Sequence, residues 1–297
     1  MAAETTQRRS AISLGSCIGG IPVTVHYSFF LLLLIEFANA VRYTAYPMFM
    51  LFVVVLYGPV LLLTVVVHEF GHALTTKKLG GEVGGITLWP LGGFAVCGPT
   101  ESLSGDLKVA LAGPMTHIPM AIIWWGIYLG VSGGKDGLWP TWTIYLDVLS
   151  ESFAGFIIIL STESFYMNII LLCFNLFIPA YPLDGGRIYA ASLILLFKMN
   201  PIKAAKTTAI TAMLLSSGMI LYAIISFLKS TGGSGLLLGV VGAFVLYNSS
   251  ELFKSAKNNS LEGHPIFGRE CYQNAGGNTT QNEIGDVPAQ SDSAAMA

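Results

Sequence analysis

Residues 48–74 form 27 consecutive positions whose only formally charged side chain is Glu69. A helix needs about 20 apolar residues to cross the hydrocarbon core of a bilayer, so this run reads as a membrane span, with Gly58-Pro59 marking a kink inside it. Residues 21–41, 107–131, 156–180, 204–228 and 235–247 are apolar in the same way, the last short and Gly-rich. Charged residues make up 11% of the 297-residue chain and apolar ones 53%. Soluble domains carry about 25% charged residues, so most of this surface must face lipid. A formal net charge of −2 excludes a typical nucleic-acid binder. The four cysteines form no CxxC pair, which leaves neither a cysteine-built zinc site nor a disulfide framework. The expected fold is an all-α polytopic membrane protein with about six transmembrane helices.

Six spans put both termini on one side, and the basic residues choose the side. Arg8, Arg9, Lys77, Lys78, Lys108, Arg187, Lys198, Lys203, Lys206, Lys254 and Lys257 fall on one face, against Arg42, Lys135 and Lys229 on the other. The loop 132–155 on that second face adds Asp136, Asp147 and Glu151. Both termini are therefore expected in the cytoplasm. The first span has no cleavage site after it and reads as an anchor rather than a signal peptide. Residues 80–99 are apolar but rich in Gly and Pro, with short β-prone pieces. Such backbone survives at membrane depth only when paired or protein-buried, so a short membrane-embedded β-hairpin is expected after the second span. Residues 1–20 read as a cytoplasmic N-terminus and 251–297 as a polar, mostly disordered tail.

Inside the second run lies His68-Glu69-Phe70-Gly71-His72. Residues i and i+4 share a helix face, so both imidazoles can reach one metal ion, with Glu69 placed to take a proton from water. This HExxH spacing serves zinc hydrolases, and composition alone would produce it about 0.003 times in such a chain. Ionisable groups in a span mark function by default. Along the helix, His72 and His68 precede Lys77 by about 7.5 and 13.5 Å, which places the metal below the cytoplasmic surface. The best third ligand is Asp184 in Pro179-Ala180-Tyr181-Pro182-Leu183-Asp184-Gly185-Gly186-Arg187, which returns to the same side after the fourth span. An ordinary Asp-Gly-Gly turn is the alternative reading.

HEFGH in the second span and PAYPLDGGR downstream resemble the site-2 protease family of intramembrane zinc metalloproteases. Gly20–His26 resembles that family's entry segment, Leu88–Gly93 its membrane-embedded hairpin, and Ala112-Gly113-Pro114 the motif opening its third span. The likeness covers roughly residues 15–250. It implies one Zn²⁺ per chain held by His68, His72 and Asp184, Glu69 as catalytic base, and cleavage of substrate helices in or at the edge of the bilayer. A free strand edge in 80–99 would then hold an unwound substrate segment by β-addition.

Two positions depart from the family pattern. Asn175 lies nine residues before Asp184 where the family has an Asn eight before, and an oxyanion or substrate-binding role is expected for it. His117 stands where the family usually has Asn. It either gates or hydrogen-bonds near the metal, or is a polar residue packed between helices. The family resemblance makes 21–250 a bare intramembrane metalloprotease core without a PDZ or CBS domain. Its expected partners are a membrane-protein substrate helix and a regulatory membrane protein, with no nucleic acid. The other readings are a prenyl-protein-type membrane endopeptidase, whose third ligand would be a Glu, and a non-enzymatic scaffold or transporter. His26 reads as interfacial, Glu36 as snorkelling or paired with Arg42, and His264 as solvated. The sequons at Asn248, Asn258 and Asn278 would stay bare on the cytoplasmic side.

Overall fold

The computed structural model of the chain describes residues 11–274 apart from 17, 42–46, 90–91, 136, 142–151, 230–233, 263 and 265. Arg8, Arg9, Arg42, Asp136, Asp147, Glu151, Asn278 and the stretch 275–297 therefore lie outside the described residues. The chain is mostly helical with one small sheet. Its elements run β1 (Ala11–Ser16), β2 (Pro22–His26), α1 (Phe30–Ala40), α2 (Pro47–Val55), α3 (Leu61–Lys78), β3 (Val83–Trp89) and β4 (Gly92–Cys97). They continue with α4 (Leu103–Met115), α5 (His117–Ser132), α6 (Phe153–Phe177), α7 (Asp184–Leu195), α8 (Pro201–Leu228), α9 (Ser234–Lys257) and α10 (Glu270–Asn274).

Among the described residues, four helices are long and apolar enough to cross a membrane: Met48–Lys78, Leu103–Ser132, Phe153–Phe177 and Pro201–Leu228. The first of these joins α2 to α3 through a π-helical turn, Leu56–Val60, that holds Pro59. Proline has no N–H for the i−4 bond, and the widened turn accommodates the gap without breaking the helix. Among the described residues, two of the six expected spans fall outside this set of four. In 21–41, β2 consumes the first residues and leaves an apolar helix, Tyr27–Ala40. That is about 21 Å of helix, short of the bilayer core. In α9 the apolar part ends at Tyr247 and is followed by Asn248, two serines and Glu251.

The all-α expectation is corrected by a four-stranded sheet in the order β1-β2-β3-β4. β3 and β4 form an antiparallel hairpin after α3, and β3 also pairs in parallel with β2, at Val23↔Ile86, Thr24↔Thr87 and Val25↔Leu88. Strand alternation explains the register. Val23, Val25, Ile86 and Leu88 all turn to one buried face, where they pack on Val65, Phe70 and Ala73 of α3. On the opposite face the Thr24 and Thr87 hydroxyls hydrogen-bond at 3.0 Å. β1 pairs antiparallel with β2, so part of 1–20 is a strand of this sheet.

The tail reading from residue 251 is corrected for its described residues, which end at 274. α9 runs on to Lys257, and Leu261, Ile266, Phe267, Cys271 and Tyr272 are buried against α4, α7, α8 and α9. These five apolar side chains follow no regular period and join one cluster, with the Phe267 and Tyr272 rings 5.3 Å apart, a pattern that hydropathy averages over.

Candidate metal centre

The π turn and the sheet fix α3, and α3 carries the HExxH. His68 and His72 lie one turn apart and are 7% and 4% exposed. Asp184 is brought to them by the loop after α6. Backbone bonds from Ala180 N to Ile178 O at 2.7 Å and from Leu183 N to Ala180 O at 2.9 Å turn the chain, and Asp184 opens α7. His68 Nε2 lies 3.0 Å from Asp184 Oδ2, His72 Nε2 lies 3.1 Å from it, and the two Nε2 atoms are 3.1 Å apart. The three residues form a group of potential metal donors.

Their hydrogen bonds orient them for that. Val109 O can only accept, so His72 Nδ1, 2.7 Å away, carries the proton and leaves the Nε2 lone pair pointing inward. A longer chain sets His68. Asn168 Nδ2 donates to Ser164 O at 2.8 Å, which turns its Oδ1 toward His117 Nδ1 at 3.0 Å. His117 Nδ1 is then the donor and His117 Nε2 the acceptor for His68 Nδ1–H at 3.1 Å. Both imidazoles thus present Nε2 lone pairs to one point, as ligands held by a second layer of hydrogen bonds do. A tetrahedron with ligand bonds of about 2.05 Å has edges of about 3.3 Å, close to the spacing of these three atoms. The fourth side is kept clear by Gly113 of α4. A Cβ there would meet His72 Nε2 and stand 2.8 Å from His68 Nε2. The residues present fit a small divalent cation.

Glu69 sits beside this cluster, 5% exposed. Ala95 N–H of β4 donates to its Oε2 at 2.9 Å, and among the described residues Oε1 receives no hydrogen bond. Gly93 makes room for it, since a Cβ at that position would fall 2.6 Å from Oε1. The base candidate therefore rests against an edge strand.

Every HExxH residue and Asp184 is thus gathered in one place. His117, 1% exposed, sits behind His68, with its Nε2 3.1 Å from His68 Nδ1. Asn175 lies half-buried in the last turn of α6, its carbonyl against Gly185. Among the described residues its side chain makes no hydrogen bond to the donor set. His26 caps its own turn, with Ser28 N donating to Nδ1. His264 is corrected from solvated to half-buried, its ring against Tyr181 and Phe267. Glu36 lines a pocket with Tyr57 and Glu163. The sequence did not single out Asn168, Gly93, Val109, Ala95 or the role of Gly113. For Asn168 a signal existed, because Ser161, Ser164 and Asn168 recur at helical spacing and are all 0% exposed.

Comparison with known proteins adds an independent line. Residues 57–221 match the family model of peptidase family M50. The chain is 29% identical to the zinc metalloprotease MJ0392 of Methanocaldococcus jannaschii, over 79% of this chain and 58% of that protein. It is 30% identical to Rip3 of Mycobacterium tuberculosis, also named as a zinc metalloprotease, over 62% of this chain and 44% of that protein. The chain therefore spans about half the length of these relatives. The family match runs from the π turn through α3, the hairpin and the Asp184 loop into α8, more than half of all residues. This chain belongs to peptidase family M50, the site-2 protease family its motifs resemble.

Proposed function

We propose that this protein is an intramembrane zinc metalloprotease that hydrolyses peptide bonds within or near transmembrane helices of membrane-protein substrates. The observation that carries the reading is the convergence of His68, His72 and Asp184 on one point beside Glu69, with Glu69 held by an edge strand. His68 Nε2, His72 Nε2 and Asp184 Oδ2 would hold the zinc. When bound, zinc supplies Lewis acidity, polarising the scissile carbonyl and making water acidic enough to ionise near neutral pH. Glu69 Oε1 takes the proton of the attacking water and passes it to the leaving amine nitrogen. Asn175 is assigned to the substrate or the developing oxyanion, and His117 to the orientation of His68.

A helical substrate hides its amides in its own hydrogen bonds and must unwind before attack. β4 is the edge that receives the unwound strand. Ala95 N–H and Cys97 C=O, two residues apart, both point away from β3 and bond to Glu69 and Arg269, so an incoming strand takes this edge by replacing those contacts. Proline substitutions along β4 should therefore slow cleavage of a helical substrate. Unchanged cleavage would remove β-addition from the reading. The excess of basic residues at the α3–β3 side supports a multi-pass arrangement with both termini cytoplasmic. The donor group contains an aspartate rather than the glutamate of a prenyl-protein-type enzyme, which favours the site-2 type.

The test is zinc per chain in detergent-purified protein. Wild type and Glu69→Gln should hold about one zinc, Asp184→Ala should hold much less, and Glu69→Gln should not cleave. Equal zinc in Asp184→Ala would overturn the assignment of the third ligand.

A further inference from the structure

The segment after α9 touches the two pieces of chain that carry the site. The His264 ring packs on Tyr181 with centroids 5.2 Å apart, three residues before Asp184. Arg187, three residues after Asp184, donates from Nη2 to Asp106 Oδ1 at 3.1 Å. Arg269 Nη1 binds the same Asp106 oxygen, and Tyr272 OH donates to Asp106 Oδ2 at 2.9 Å. Arg269 Nη2 also reaches Cys97 O, the last carbonyl of β4, at 3.2 Å. Asp106 is 1% exposed and Tyr272 0% exposed, so this junction is part of the interior.

A buried carboxylate is tolerated only when it is paired and hydrogen-bonded. Asp106 has three donors from two other parts of the chain, two of them from the C-terminal segment. The two guanidinium groups exceed Asp106 by one charge. Asp184 acts on Arg187 as a second anion, so the balance of the cluster runs into the donor set.

We propose that His264, Arg269 and Tyr272 form a clasp that positions Asp184 and β4, with Arg269 as the positioning residue; this rests on the reading of Asp184 as third metal ligand. One path runs from Arg269 through Asp106 to Arg187 and the first turn of α7, which carries Asp184. The other runs from Arg269 through Cys97 O along β4 to Ala95 N–H, which holds Glu69. One guanidinium therefore braces both the third ligand and the base. Tyr272 supports the first path only.

The experiment measures zinc dissociation constants by chelator competition on the full chain in detergent, beside thermal melting of the metal-free protein. Arg269→Ala should weaken zinc binding about tenfold, the low end for partners behind a ligand. Arg269→Lys should restore most of that loss, because an ammonium still pairs with Asp106. Tyr272→Phe should weaken zinc about threefold while keeping the ring packed; if Arg269→Ala does not fold, this variant carries the test. A merely structural clasp would lower the melting temperature and leave the zinc constant unmoved. Zinc constants within about 1.5-fold of wild type in Arg269→Ala, or in Tyr272→Phe where Arg269→Ala does not fold, overturn the clasp, provided Asp184→Ala has lost zinc. If Asp184→Ala keeps its zinc, it is the third-ligand assignment that fails.

Discussion

Gly113→Ala separates the metal site from the fold more sharply than substitution of a ligand. In a helix interior this change normally stabilises by about 1 kcal/mol, because alanine loses less backbone freedom. At Gly126 of α5, where a Cβ would have open space, that is the expected result. At Gly113 the new methyl enters the point on which the donors converge, meeting His72 Nε2 and standing 2.8 Å from His68 Nε2. Carbon and nitrogen need about 3.5 Å, so at least one imidazole must leave bonding range. Zinc held by four protein ligands binds with about 10–16 kcal/mol, or about 2.5–4 kcal/mol per ligand. Displacing one ligand should weaken zinc by about 10²–10³-fold. Repacking adds about 1–3 kcal/mol of destabilisation. The assay is chelator-competition zinc affinity with thermal melting for Gly113→Ala and Gly126→Ala side by side. Wild-type zinc affinity in Gly113→Ala would refute the placement of the metal against α4.

Two other outcomes follow from the same coordinates. His117→Leu or Asn168→Leu breaks the hydrogen-bond chain behind His68, and zinc affinity should fall about 10–100-fold, while His117→Gln, which keeps an acceptor, should lose less; equal affinity in all three would show that the tautomer of His68 is not set from this side. Burial holds the His264 imidazole down at about pKa 4, and its Nδ1 accepts from Ile266 N and Phe267 N at 3.2 Å. The unfolded segment then binds the extra proton first, so docking of 258–274 should weaken as pH falls from about 6.5 toward 4. Hydrogen exchange in that segment should rise over this range, and His264→Gln should flatten the response.

The chemistry was legible because it is local. His68 and His72 are four residues apart on one helix, and a glutamate between them in an apolar run is costly unless used. Asp184 could be chosen because its Pro-rich, Gly-flanked loop returns to the same side. Other features depend on what arrives from a distance. Gly93 and Gly113 look like ordinary small residues until α3 is packed against them. Val23-Thr24-Val25 alternates for only three residues, and its partner strand lies about sixty residues on, so no window contains both. Arg269 and Tyr272 sit in a stretch whose polar neighbours mask them, and their meaning is fixed by Asp106 on α4.

The parallel pairing of β2 with β3 has a consequence for fidelity. A hairpin alone has two open flanks, and a strand-seeking guest could settle on either. β2 permanently occupies the β3 flank, and β1 in turn covers β2. The sheet edge beside Glu69 is β4, and the other edge, β1, stands three strands away. Under the proposed β-addition, the N-terminal strands thus close the flank of β3 and carry the sheet's other edge away from the base.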